Sequence, residues 1–123
     1  MRIGELAERA GTSTRALRYY EQHGLLAARR TSNGYREYDE ADLRLVREIR
    51  SLLDIGFNLE DTRPFVECLR SGRATGAECP ASIEVLGRKL ADLDGCIARL
   101  QAARRLVERE LSHAIEHDLE ELA

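Results

Sequence analysis

Residues 3–26, "IGELAERAGTSTRALRYYEQHGLL", decide the fold. Ile3, Leu6, Ala7 and Ala10 recur at helical spacing and Gly11 supplies a stop, so residues 3–10 predict a short amphipathic helix. Thr12 or Ser13 can cap a second helix, in which Ala16, Leu17 and Tyr20 form one face, Arg15, Arg18 and Tyr19 another, and Gly24 the end. Two short helices joined by "GTS" make a helix-turn-helix. The chain has four tyrosines and no tryptophan, yet residues 15–20 hold two arginines and two adjacent tyrosines. The remaining tyrosines, Tyr35 and Tyr38, follow closely, so one short window claims them all.

That window continues as "RRTSNGYREY", residues 29–38, where Asn33-Gly34 between two short segments signals a tight hairpin turn. A hairpin after a helix-turn-helix is a wing. Asp39 and Asp42 resemble a capping box that opens a helix carrying Leu43, Val46, Ile49 and Leu53 and closes at Gly56. Phe57, Asn58 and Asp61 signal a further helix start, but Pro64 lacks the N–H that should bond back to residue 60. A kink, or a start near Arg63, is the expectation there. "RSGRATGAECP", residues 70–80, carries the Gly, Ser, Thr and Pro of a loop.

After Pro80, Ile83, Leu86, Leu90, Leu93, Ile97, Leu100, Val107 and Leu111 alternate at three and four residues, with Arg104 the one polar member. The spacing predicts a helix over 81–112 whose seam is meant for a second helix, and nothing else in the chain could cover it. The expected organisation is a DNA-binding unit with helical extension over 1–67, a connecting loop over 68–80, a dimerisation helix over 81–112 and a tail over 113–123.

Net charge is −3 for 123 residues, but it is unevenly placed. Five arginines (15, 18, 29, 30, 36) face one acid, Glu21, between Arg15 and Arg36, whereas residues 58–123 hold nine basic and thirteen acidic side chains. A chain so divided binds a polyanion through its N-terminal third. The polar N-terminus is not a signal peptide and no apolar run reaches membrane-spanning length, so a cytoplasmic protein without membrane contact is expected. Three cysteines argue against a disulfide framework and leave reactive thiols, metal ligands or buried residues. No phosphate loop, nucleophile with a base, or paired carboxylates suggest an enzyme.

Taken in order, "IGELAERAGTSTRALRYYEQHGLL", "NGYREY" and "DLRLVREIRSLLDIGFNLED" resemble the MerR family of bacterial transcription regulators, closely over residues 2 to 62 and by pattern along the dimer helix. The resemblance implies a mainly α fold: a winged helix-turn-helix, a two-helix segment and a long antiparallel coiled-coil dimerisation helix. It implies a homodimer on double-stranded promoter DNA with an over-long spacer, distorting that DNA so that RNA polymerase can engage. Ser13, Thr14, Arg15, Arg18 and Tyr19 would then lie in the major groove, and Asn33, Gly34, Tyr35 and Arg36 of the wing on the flanking backbone. Tyr20 and Tyr38 match family positions too, one nearer the helix core and one bracing the wing. Arginine supplies charge and bidentate donors, and tyrosine a hydroxyl on a stiff side chain, both suited to gripping phosphates.

The signal is less legible. Cys79 precedes Pro80, a favoured first helical residue, so Cys79 is expected as an N-cap, where the helix start biases a thiol toward thiolate. Cys68 lies within a ten-residue connection of Cys79. The two permit a redox switch or a two-sulfur metal site, for which thiolates favour copper(I), zinc or mercury. His113 and His117 share a helix face if the tail is helical and could chelate a metal, alone or with Cys79 of a second copy. Cys96 falls beside the seam as a small packing residue. The readings left open are a regulator answering a metal ion or thiol-reactive signal, and an effector-blind DNA-binding dimer whose cysteines only pack.

Overall fold

The computed structural model describes all residues, 1–123. It contains α1 (Ile3–Ala10), α2 (Thr14–Gln22), β1 (Arg29–Arg30), β2 (Arg36–Glu37), α3 (Glu40–Asp54), α4 (Leu59–Arg70) and α5 (Pro80–Leu122). Two compact units divide the chain, Met1–Val85 and Leu86–Ala123.

In the first unit side-chain caps open α2, α3 and α4, whereas α1 starts after Arg2 without one. Gly11 takes the left-handed conformation that closes α1, at φ 69°. Ser13 caps α2, its hydroxyl accepting the Ala16 N–H at 3.1 Å. Asp39 and Asp42 form the reciprocal capping box that opens α3. Asn58 caps α4 by accepting the Asp61 N–H at 2.8 Å. Pro64 therefore sits inside a continuous α4, so the helix does not begin near Arg63. The Asn58 cap and the buried Thr62, whose hydroxyl donates to the Leu59 carbonyl at 2.6 Å, hold the turn before the proline together.

Leu6, Leu17, Leu25, Leu43, Val46, Ile49 and Val66 are buried in one core that joins α1 and α2 to α3 and α4. A second cluster, Leu52, Phe57, Phe65 and Val85, seats the start of α5 on α3 and α4. The two-stranded antiparallel hairpin pairs Arg29 with Glu37 and Arg30 with Arg36. Its turn differs from the two-residue turn that Asn-Gly suggests. Gly34 donates to the Thr31 carbonyl at 2.9 Å and Thr31 N–H bonds the Tyr35 carbonyl at 2.7 Å. Only Gly34 in this turn has positive φ, so Asn33 is not left-handed as a two-residue Asn-Gly turn requires, and the loop has three residues with one glycine at its αL position.

In the second unit α5 carries its helix through the stretch expected as a tail, ending at Leu122. Ile115, Leu119 and Leu122 continue the exposed apolar series of Leu86, Leu90, Leu93, Ile97, Leu100, Val107 and Leu111. The spacing of the first two, with Leu111, is four residues each, the same one-face recurrence that defines the seam.

Candidate nucleic-acid interface

α2 lays Arg15, Arg18 and Tyr19 on its exposed side and Leu17 and Tyr20 in the core. Tyr19 is 49% exposed and its ring meets that of His23 edge-on at 4.3 Å between centroids. Ser13 is exposed at the cap and Thr14 half-buried in the first turn. The wing presents Asn33, Gly34 and Tyr35 to solvent, with Tyr35 at 52% exposure.

These elements converge. Arg18 of α2, Arg30, Gly34, Tyr35 and Arg36 of the wing, and Arg2 ahead of α1 line one open groove of about 300 Å³. The Arg2 guanidinium lies over the Tyr35 ring at 4.0 Å, a cation–π contact that props the wing tip. Arg2 carried no motif that sequence reading could have used. Arg30 was visible only as part of the basic count. Arg30 and Arg36 stand directly opposite across the hairpin, an arrangement that like charges disfavour on their own and that a polyanion in the groove would relieve.

Tyr20 and Tyr38, expected nearer the helix core and bracing the wing, lie beneath the surface. Tyr20 is 5% exposed and Tyr38 1% exposed, so neither ring is presented on the surface. Burial is the main reason the Tyr20 phenol is pushed above its usual range. Tyr38 donates its hydroxyl to Glu21 Oε1. Burial first, then the hydrogen bond and charge of Glu21, holds the Tyr38 phenol far above its usual range. Glu21 Oε2 also lies 3.7 Å from Arg36 Nε, so the one acid of the basic segment ties α2 to the wing. The Tyr38 backbone in turn exchanges hydrogen bonds with Met1, its N–H donating to the Met1 carbonyl at 2.7 Å.

The other side of the wing is anchored by charge. Arg29 Nη2 reaches Asp39 Oδ2 at 2.8 Å and Asp42 Oδ2 at 3.0 Å, tying β1 to the α3 capping box. Burial raises the Asp42 carboxyl above its usual range, while the Asp42 N–H holds Asp39 low. Arg29 is thus committed to the fold, whereas in the groove Arg36 leans on Glu21, Arg30 donates to the Gly34 carbonyl at 2.9 Å, and Arg18 stands exposed on α2.

Cys68 and Cys79, expected as thiols that could meet, are joined as a disulfide with Cα atoms 5.8 Å apart. Cys79 immediately precedes α5, its carbonyl accepting the N–H groups of Ser82 and Ile83 at 3.0 and 3.1 Å. His113 and His117 stand four apart on α5, and His117 Nε2 pairs with Glu121 at 3.1 Å. Cys96 is exposed, with Arg99 Nη2 at 3.0 Å from its sulfur. Ile83, Leu86, Leu90, Leu93, Ile97, Leu100, Val107 and Leu111 are all exposed in the single chain. No helix is long and apolar enough to cross a membrane.

Comparison with known proteins places this arrangement in a lineage. The chain is 32% identical over 114 residues to the HTH-type transcriptional regulator HmrR of Rhizobium leguminosarum bv. viciae, covering 93% of this chain and 85% of that one. Its fold is similar to that of PbrR691 from Ralstonia metallidurans CH34, a transcription regulator solved in complex with lead(II), at TM-score 0.69 and 27% identity over 87% of this chain and 81% of that one. HiNmlR, a regulator lacking the sensor domain and solved bound to promoter DNA, matches at TM-score 0.59 and 26% identity over 91% of this chain and 83% of that one. These relatives are transcription regulators, not enzymes. Residues 1–67, the winged helix-turn-helix with α3 and most of α4, match the MerR HTH family regulatory protein, and the chain belongs to that family.

Proposed function

We propose that this protein is a homodimeric transcription regulator that binds a pseudo-palindromic promoter with an over-long spacer and distorts it so that RNA polymerase engages. One observation carries the reading: Arg18 of α2 shares a groove with Arg2, Arg30, Tyr35 and Arg36. Recognition helix and wing thereby offer one continuous cationic, aromatic surface. Ser13, Thr14, Arg15, Arg18 and Tyr19 enter the major groove, and Asn33, Gly34, Tyr35 and Arg36 press the flanking backbone, with Arg2 and Arg30 added to that grip. Tyr20 and Tyr38 act from beneath, by holding α2 and the wing. A grip made mostly on phosphates suits a regulator that works by deforming DNA rather than by reading many bases.

The exposed leucine seam of α5 supports the dimer, since a single chain leaves it uncovered. The cysteines support a thiol-reactive or metal signal, soft sulfur being the donor that zinc or copper(I) prefers. Titration of the promoter upstream of its own gene tests the DNA reading. Arg18→Ala is expected to weaken binding of every sequence and to reduce the slope of log affinity against log salt by about one phosphate contact. An unchanged slope would remove Arg18 from the interface.

A further inference from the structure

We infer that Cys68 and Cys79 form a reversible dithiol–disulfide switch whose substrate is a hydroperoxide, and that its two states set the transcriptional output. The inference rests on the regulator reading above and names the signal that reading leaves open. Three observations converge on it.

The first is access. Cys68 is 2% exposed whereas Cys79 is half-buried, so an oxidant in solvent meets Cys79 first. Cys79 also stands at the start of a 43-residue helix, whose N-terminal peptide groups stabilise a sulfur anion.

The second is a preformed route between the sulfurs. The loop over 71–79 is seated rather than free. Gly76 is packed so closely that a Cβ there would stand 2.9 Å from Glu48 Oε1 and 3.0 Å from the Phe65 carbonyl. Arg44 Nη2 holds the Ala74 carbonyl at 3.0 Å, and Glu78 Oε1 accepts the Thr75 N–H at 3.2 Å. The chain is thereby turned back so that residue 79 returns to residue 68, with Cα atoms 5.8 Å apart, inside the range that a disulfide spans.

The third is that the reduced state has its own partner. The Thr75 carbonyl lies 3.5 Å from Cys68 Sγ, in place to accept from the thiol when the disulfide opens. Reduction therefore strands no buried donor. Both states are satisfied, which is what a switch requires and a structural staple does not.

The chemistry balances in two steps. The Cys79 thiolate attacks the distal peroxide oxygen, the O–O bond breaks, and the alkoxide leaves and takes a proton, giving a sulfenic acid and an alcohol. The Cys68 sulfur then attacks the Cys79 sulfur, the S–O bond breaks, and hydroxide leaves with the Cys68 proton as water. Two thiols and one hydroperoxide yield one disulfide, one alcohol and one water. The disulfide joins the C-terminal end of α4 to the residue before α5, beside the Val85 contact that seats α5 on Phe57 and Phe65. The linkage at which α5 leaves the DNA-binding unit is pinned in one state and released in the other.

The test uses the full-length dimer, reduced and freed of reductant, then treated with hydrogen peroxide or tert-butyl hydroperoxide. Of the three thiols per chain, two are expected to disappear, with a peptide linking residues 68 and 79 in non-reducing mass spectrometry. Cys68→Ser is expected to accumulate a sulfenic acid at Cys79 that dimedone traps, and Cys79→Ser to keep both remaining thiols. In vitro transcription from its own promoter is expected to differ at least threefold between reduced and oxidised wild type, and to be flat in both variants. Dimedone labelling at Cys96 instead of Cys79 would overturn the site. Equal promoter binding and equal output in both states would overturn the switch and leave the regulator intact. Failure of both states to bind the promoter would overturn the regulator reading, and the regulatory role with it. Zinc or copper(I) that changes output while peroxide does not would also overturn the proposal.

Discussion

Glu21 is the single acid between Arg15 and Arg36. In the fold it accepts from Tyr38 and approaches Arg36, so it sets the distance between α2 and the wing. Glu21→Gln keeps an acceptor and removes the charge, and the Tyr38 phenol is expected to titrate at lower pH than in wild type. It should still remain above an exposed tyrosine, because burial is the larger cause of the shift. A pH titration of tyrosinate absorbance checks this. The sign for stability follows: a phenol raised in the folded state stabilises fully below its unfolded value near 10, and that stabilisation is lost as pH climbs beyond it. Wild type should therefore lose stability above about pH 10, more steeply than Tyr38→Phe.

At the scale of elements, the boundaries that capping residues announce were legible: Gly11, Ser13, the Asp39–Asp42 box and Asn58 all act where the sequence places them. Local rules sufficed because each cap is satisfied within four residues. Pro64 and the last turns of α5 were harder. A proline inside a helix is decided by whether neighbouring bonds and packing offset one lost hydrogen bond, and here Thr62 and the buried Phe65 and Val66 do so. Arg2 and Arg29 were illegible for a different reason, because their partners come from other elements that no spacing rule connects, whereas Cys68 and Cys79 were legible as thiols that could meet but not as a bond.

Three expected outcomes concern these elements. Asp39→Ala removes both the α3 cap and one anchor of Arg29, and a loss of about 1–2 kcal/mol in denaturant unfolding is expected. Opening the disulfide frees a short loop, so reductant should cost about 3 kcal/mol by the loop-entropy argument, read by the same unfolding curve. Gly76→Ala should slow reformation of the bond, since its methyl group must push the loop off the Phe65 carbonyl, which is backbone and cannot swing aside.

Across the whole molecule, charge and apolar surface are partitioned by task. Exposed arginines occur along the whole chain, but those of α2 and the wing share one groove with Arg2, while the large exposed aliphatic side chains gather along α5. A monomer that leaves so many leucines in water is not a stable end state, and Leu93→Glu in the middle of the seam is expected to give a monomer by sedimentation at micromolar concentration. That variant should lose promoter affinity far beyond the loss from Arg18→Ala, because a half-site held by one subunit forfeits the second grip.

The proposed function requires a dimer that holds both halves of one promoter through the α2–wing surface. Hydroxyl-radical footprinting of the full-length protein on its own promoter reads that grip. The expected pattern is two protected half-sites, related by pseudo-symmetry and separated by about one helical turn or a multiple of it, lost together in Leu93→Glu and weakened together in Arg18→Ala. Protection of a single half-site that survives Leu93→Glu would contradict it.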